Sequence, residues 1–402
     1  VSVHLPVEVL TFGCRLNLVE SEAMRRAAMA GGRRDLVIVN TCAVTAEAVR
    51  QARQAIRRIA RDRPEARIVA TGCAVATDRA TFAEMREIAA IVPNAEKASP
   101  VTWGANAAAN SAAGIAGHTR GFVAIQNGCD HRCTFCIIPF GRGASRSVPV
   151  PVVVAEIAAL VACGHREVVL TGVDLTSWGA DLPGEPRLGE LVSQILAEVP
   201  DLPRLRLSSL DVAEIDPLLF GAIAQEERLM PHLHLSLQAG NDLILKRMKR
   251  RHSRAQAIRV CREIRAARLE VVFGADLIAG FPTETEVMFE DSLTLVEECG
   301  LTHIHAFPYS PRSGTPAARM PQVKPEVAKA RAAALRDAGA AAVERHLDAQ
   351  IGRRIVALAE RGGKGRAEDF SPVHLPGTEP GTLVAGEVTG HDGRTLRLRR
   401  SG

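Results

Sequence analysis

Aromatic side chains are scarce in this sequence: one tyrosine, two tryptophans and eleven phenylalanines among 402 residues. A broad platform of rings for stacking successive nucleobases is therefore not advertised. No run of eighteen uncharged apolar residues occurs, so no membrane span is expected. The opening VSVHLPVEVLTFGC lacks a basic flank, an apolar core and a cleavage site, so no secretory leader is expected. GADLIAGFPTE (274–284) has glycines but no phosphate-loop lysine, which excludes a nucleoside-triphosphate site of that kind. The net charge of +5 is too mild to argue for a nucleic-acid partner by itself. These absences lead us to expect a cytoplasmic protein with reduced thiols.

What is present is cysteine, nine in all and unevenly placed. The length allows two or three domains, and the pattern of apolar runs suggests three regions. In the first, strand-like runs at 7–13, 35–41 and 66–72 alternate with helical stretches at 16–30, 46–62 and 78–90. That alternation argues for an α/β domain with a Rossmann-like parallel sheet. Cys14, Cys42 and Cys73 each follow the carboxyl end of one of these strands, the edge where open α/β sheets bind ligands. Three thiols about thirty residues apart can thus converge. An Ala/Gly/Asn stretch at 104–117 reads as a linker. Six further strand candidates follow, at 121–126, 167–172, 204–210, 232–238, 271–280 and 303–309, with helical stretches between them. They suggest a partial (β/α)6 barrel with its active face at the strand carboxyl ends. After a helix at 325–350, short runs broken by Gly, Pro and HDG suggest a small antiparallel β-barrel. The expected domains are 1–103, 118–342 and 343–402, with the linker between the first two.

Directly after the first barrel strand comes NGCDHRCTFCIIPFGRG, with Cys129, Cys133 and Cys136 in a C-x3-C-x2-C pattern. Structural zinc sites take four protein ligands from separated C-x2-C pairs, and a bacterial ferredoxin run carries four cysteines. Neither fits. Three thiolates around a [4Fe–4S] cubane leave one iron open, as an open metal position admits a reacting ligand. Phe135 between the thiols can cover such a cluster, and Arg142 and Arg146 can hold phosphate or carboxylate. Cys163, Cys261 and Cys299 lie in helical stretches without ligand spacing and read as structural.

C-x3-C-x-Phe-x-C on the first strand of a partial barrel resembles the radical S-adenosylmethionine (SAM) superfamily. Together with TFGCRLN, VNTCAVT, TGC and the terminal barrel, it resembles the methylthiotransferase family along nearly the whole chain. GCRLN, LTGVDLTSWG, HLHLSLQAGNDLILKRMKRRHSR and FPYSPRSGTPAARMP look most like its MtaB branch. The resemblance implies a cluster on Cys129, Cys133 and Cys136 whose open iron binds SAM. It also implies an auxiliary [4Fe–4S] cluster on Cys14, Cys42 and Cys73, and a terminal RNA-binding TRAM barrel. The implied reaction adds a methylthio group to C2 of N6-threonylcarbamoyladenosine at tRNA position 37, in the anticodon loop. Sibling branches act on isopentenyladenosine or on a ribosomal-protein aspartate, and a non-enzymatic iron–sulfur RNA-binding protein is a further alternative. An electron donor such as flavodoxin or ferredoxin and a sulfur donor are implied partners, and a monomer is expected.

Strand-end candidates for holding SAM are Thr171, Gly172, Ser208, Ser209 and Gln238. Positive charge for RNA phosphates is expected from Lys246, Arg247, Lys249, Arg250, Arg251 and Arg254, and from Arg50, Arg53, Arg57, Arg58 and Arg61 on one helix. The 27 residues between Cys14 and Cys42 are fewer than the family leads one to expect, which calls for a short connection at AMAGGRRD.

Overall fold

Leu36–Thr41 is buried at every position, the mark of a strand covered on both faces of a parallel sheet. In the computed structural model, which describes residues 7–106, 114–115 and 117–400, this strand is central. The amino-terminal sheet has the order β1 (Glu8–Thr11), β2 (Leu36–Thr41), β3 (Arg67–Gly72) and β4 (Ala90–Ile91), all parallel. Helices α1 (Arg15–Ala30) and α2 (Ala46–Asp62) connect the first three strands. Helix α2 buries Ala52, Ile56 and Ile59 along one stripe, and the Thr45 hydroxyl accepts from Ala48 N at its start. The short connection after α1 closes tightly. Gly31 sits where a Cβ would meet Trp103 O at 2.4 Å, and Gly32 takes φ +69°.

One expected helix is corrected. In place of a helix over 78–90 there is only the single-turn helix α4 (Arg79–Ala83), preceded by another, α3 (Cys73–Thr77). The chain then turns so that β4 can add to the sheet edge beside Val69 and Ala70, with Phe82 and Met85 buried beneath. Edge pairing and that apolar anchor override the local helical pattern. Most of the expected linker, residues 107–113 and 116, lies outside the described residues.

The barrel strands are β5 (Gly121–Ala124), β8 (Glu167–Thr171), β9 (Arg204–Leu207), β10 (Ser209–Leu210), β11 (His232–Gln238), β12 (Val272–Ala279) and β13 (Leu301–Pro308). A short hairpin, β6 (Gln126–Asn127) with β7 (Arg146–Ser147), brackets the cysteine loop and the one-turn helix α5 (Ile138–Arg142). Only Ser208 separates β9 from β10, so the β5-β8-β9 and β10-β11-β12-β13 sheets follow one another as a six-position parallel array. Helices α6 (Val150–Ala162), α7 (Leu188–Glu198), α8 (Pro217–Gln225), α9 (Asp242–Met248), α10 (Arg254–Ala267), α11 (Glu286–Glu298) and α12 (Pro325–Asp348) complete it. On β11 the period of two is strict. Leu233, Leu235 and Leu237 pack into the large core, while His232, His234, Ser236 and Gln238 occupy the opposite, lumenal face. No helix among the described residues is long and apolar enough to cross a membrane.

The carboxyl-terminal strands β14 (Arg354–Glu360), β15 (Lys364–Ala367), β16 (Pro372–His374), β17 (Leu383–His391) and β18 (Leu396–Arg400) close into a barrel in the order β14-β15-β16-β18-β17. Its β15–β16 turn plugs the base of the large barrel. Arg206, on β9, donates to Glu368 O and Ala367 O at 2.8 Å each and to Glu167 Oε1 at 2.7 Å. The Phe370 ring lies 4.7–5.1 Å from the guanidinium carbons of Arg120, Arg206 and Arg366 and stacks on His232. His232 in turn meets His303, and His303 meets His346, which bonds to Asp369 at 2.8 Å.

This junction should weaken in acid. Burial lowers the His303 pKa to about 4 and lowers that of His232 too. The unfolded chain, with histidine near 6.5, binds protons first, so the stabilisation is whole above about pH 6.5 and fades as the pH falls toward 4. Thermal melts should lose up to about 3 kcal/mol of stability across that window, and His303→Phe should flatten the profile.

Candidate active site at two cysteine triads

The three strand-end cysteines of the first sheet do converge. Cys14 caps the start of α1, Cys42 follows β2 and Cys73 opens α3. Gly13, at φ +98°, lies so close to Cys42 that a Cβ there would stand 2.6 Å from its Sγ. A glycine before Cys14 therefore lets two thiol-bearing loops touch. Burial pushes the Cys42 and Cys73 thiols up; Cys14 adds to both shifts, and Cys73 adds to that of Cys42.

Beneath this triad lies a buried charge network. Glu20 of α1 receives Lys97 Nζ at 2.6 Å and Arg142 Nη1 at 2.8 Å. Arg142 also donates to Asn17 Oδ1 at 2.5 Å and Asn127 Oδ1 at 2.7 Å, while Lys97 reaches Asn40 Oδ1 at 3.1 Å. The Lys97 and Arg142 side chains are each only 1% exposed. Burial works against all three charges. Even so, the two cations hold Glu20 below its usual range, and Glu20 holds Arg142 above its own. The expectation that Arg142 meets phosphate is thus corrected: its guanidinium is enclosed and paired. Two cations against one carboxylate leave positive charge under Cys73, opposing the effect of burial on that thiol. Sequence reasoning missed Lys97 and Glu20 because their partners lie 77 and 122 residues away.

The second triad sits on the loop between β6 and α5. Gly128 takes φ +78°, and a Cβ there would collide with Ala144 O at 1.9 Å. The loop is pinned by Cys129 N to Gly143 O at 3.1 Å, and by Thr134 to the Met248 and Arg247 carbonyls at the end of α9. Gln126 ties it further. Its Nε2 donates to Gly128 O and Ser145 Oγ, and its Oε1 accepts from Val173 N and Asp174 N. Burial pushes the Cys129 thiol up to about 12, helped by Asp174, and the Cys136 thiol up to about 11. Three mutually interacting sulfurs in a desolvated pocket suit a cationic iron group, whose binding would expel their protons. Asp174 is engaged by His131 Nε2 at 2.7 Å.

One connection joins the triads. Gly141, five residues past Cys136, packs on Cys73 closely enough that a Cβ would lie 3.4 Å from its Cα and Cβ, and Asn94 Nδ2 donates to Gly141 O at 2.6 Å. A cavity of about 240 Å³ opens beside both. Val44 and Thr45, just past Cys42, line it together with Phe135, Cys136, Gln238, Asp276, Phe307 and Arg312. Burial lowers the pKa of Arg312, and Cys42 opposes this. Its Nε and Nη2 are buried with no hydrogen-bond partner. This cation was not anticipated, although the FPYSPRSGTPAARMP run that carries it is one of those that resemble the MtaB branch.

The remaining expected residues scatter. Phe135 packs edge-on to Phe281 while lining the cavity. Gln238 lines it too, with φ +68°. Thr171 is buried, Gly172 is pressed against the Gln126 side chain, and Ser208 has a buried, unpartnered hydroxyl beside half-buried Ser209. Of the basic run, Arg250 is corrected. It is turned inward to Asp211 Oδ2 (2.7 Å), Ser236 O (2.8 Å) and Cys133 Sγ (3.7 Å). Arg251 pairs with Asp211 and Glu214, Arg254 with Glu298, and Arg247 donates to Thr283 Oγ1. Lys246, Lys249 and Arg146 are exposed. The Glu20→Ala variant should lose about 3–5 kcal/mol in chemical denaturation, because it strands two buried cations.

Comparison with known proteins follows the same division of the chain. The profile of the Radical SAM superfamily matches residues 123–296, and that of Uncharacterized protein family UPF0004 matches residues 6–93. Threonylcarbamoyladenosine tRNA methylthiotransferase MtaB of Rickettsia prowazekii is 46% identical over 386 residues, 92% of each chain. The tRNA-2-methylthio-N(6)-dimethylallyladenosine synthase of Cereibacter sphaeroides is 32% identical, with 98% of each chain covered. Among solved structures, the radical S-adenosylmethionine methyltransferase TsrM of Kitasatospora setae shares the fold. Its TM-score is 0.53 at 17% identity, with 75% of this chain and 68% of that one covered. Identity at this level over nearly the full length places the chain in the radical SAM methylthiotransferase family.

Proposed function

We propose that the protein methylthiolates C2 of N6-threonylcarbamoyladenosine at position 37 of tRNA. The observation that carries this reading is the single cavity bordered by Cys136 and by the loop that follows Cys42. Superfamily membership brings SAM and one [4Fe–4S] cluster, for which we assign Cys129, Cys133 and Cys136 as ligands. We assign Cys14, Cys42 and Cys73 to a second, auxiliary cluster. When bound, these groups supply a SAM-derived radical able to act on an unactivated aromatic C–H, and the sulfur to be transferred.

The chain's own residues then have separable tasks. Lys97 and Arg142 offset the negative charge that three thiolates bring to a desolvated site. Arg250, 3.7 Å from Cys133 Sγ, does the same at the other triad. Ser208 and Gln238 are candidate SAM contacts. Arg312 offers an unpaired guanidinium to negative charge within the cavity. For the tRNA we assign Arg146, Lys246, Lys249 and the exposed arginines of α2, all outside the buried pairs. Phe307 and Phe140 are exposed in a chain poor in aromatics, and Phe307 lines the cavity. A base in a single-stranded loop can be turned out onto such rings without opening a duplex. Reduction of the SAM-binding cluster needs an external donor of the flavodoxin or ferredoxin kind, and each turnover needs sulfur resupplied. We place the reaction in the cytoplasm.

Nucleoside mass analysis of tRNA from a strain lacking this gene should show the methylthio derivative of threonylcarbamoyladenosine gone and its precursor retained. Persistence of the derivative sinks the assignment, and loss of the dimethylallyl derivative instead moves it to the sibling activity. Iron and sulfide analysis of anaerobically reconstituted protein should give two clusters per chain, with Cys14→Ala retaining about half the iron. Full iron content in that variant removes the auxiliary cluster from Cys14, Cys42 and Cys73.

A further inference from the structure

We propose that His305, held by Asp276, is the specificity-determining residue that reads the hydrogen-bonding substituent on N6 of the target adenosine. This rests on the tRNA reading above and goes beyond it by naming the group that selects the substrate.

The argument starts from an unusual concentration of imidazole on the lumenal face. His234 of β11, Asp276 of β12 and His305 of β13 stand on three neighbouring strands, with Asp276 paired to His305 in the sheet register. Asp276 Oδ1 accepts from His234 Nε2 at 3.0 Å and from His305 Nδ1 at 3.2 Å. The two rings lie 4.9 Å apart. Burial works against the Asp276 charge, but these two imidazoles hold its carboxyl well below the usual range. Gly274 makes the arrangement possible. A Cβ there would stand 2.8 Å from His234 Nδ1, so a side chain at that position would displace the ring.

His305 differs from its neighbours in exposure. Its side chain is 62% exposed, while those of His234 and Asp276 are 13% and 29%. With Nδ1–H committed to the carboxylate, Nε2 has no hydrogen-bond partner among the described residues. A histidine fixed through one nitrogen by a half-buried carboxylate presents the other nitrogen in one orientation and tautomer. Asp276 itself lines the cavity shared with Cys136, Gln238 and Phe307, and His305 lies on the same strand face as Phe307, ring centroids 6.4 Å apart. An adenosine whose C2 is turned toward the cysteine loops must lay its N6 substituent along another wall, and β12 and β13 form one. Threonylcarbamoyl offers N–H, O–H and carboxylate groups to that wall. A dimethylallyl group offers none and would cover polar groups without replacing their water.

The test uses anaerobically reconstituted full-length protein and two anticodon stem-loop RNAs, bearing threonylcarbamoyladenosine or dimethylallyladenosine at position 37. Fluorescence anisotropy gives the Kd for each, and mass analysis gives the product. Wild type should bind and methylthiolate the threonylcarbamoyl RNA preferentially. His305→Phe should weaken that RNA roughly tenfold or more and leave the dimethylallyl RNA unchanged or tighter, shrinking the preference. His305→Gln, which keeps a polar terminus, should restore part of it, and Asp276→Asn should fall between. Circular dichroism and iron content confirm that each variant folds; if His305→Phe does not, the glutamine and asparagine variants decide by the same ratio. A preference in the variants equal to that of wild type overturns the role of His305 and leaves the tRNA reading intact. A wild type that modifies only the dimethylallyl RNA, or neither, overturns the tRNA reading and the inference built on it.

Discussion

One buried ion triad, Glu20 between Lys97 and Arg142, holds the working part of this protein together. Its members come from α1, from the segment after the first sheet, and from the one-turn helix that follows Cys136. A salt bridge so enclosed recovers its desolvation cost only through good geometry and further hydrogen bonds. Asn17, Asn40 and Asn127 supply those bonds. The result is a fixed distance and orientation between two thiol triads that are otherwise on separate sheets. Gly141 packed against Cys73 is the direct consequence, with the two loops in contact there.

The base of the barrel is fastened by a different device with the same logic. Glu167 pairs with Arg204 and Arg206, and both guanidinium groups also donate to backbone carbonyls of the carboxyl-terminal barrel. Phe370 fills the space among three guanidinium groups. The lumen is therefore closed at one end and open toward the cysteine loops. That leaves the strand carboxyl ends as the open face, the face that carries the site in barrels generally.

Much of this was legible in sequence because it is local. Strand periods of two, helices with apolar stripes and C-x3-C-x2-C spacing are all written in short windows. The position of Cys14, Cys42 and Cys73 at three strand ends was legible for the same reason, since topology alone brings neighbouring parallel strand ends together. Charge roles were not. Arg142 and Arg250 look like surface cations in sequence, and both are turned inward. Nothing within ten residues of either announces its carboxylate partner.

The sequence by itself thus determined the α/β architecture, the two sets of thiols and the family to which the chain belongs. Only the tertiary structure decided which cations are spent on holding the triads, which remain exposed, and which groups line the common cavity. Asp276, Phe307 and Arg312 reach that cavity from β12, β13 and the segment beyond, far along the chain from the cysteines. The physical reason is range. Backbone periodicity and metal-ligand spacing act over a few residues, whereas burial and ion pairing depend on contacts that only the folded partial barrel and the regions flanking it create.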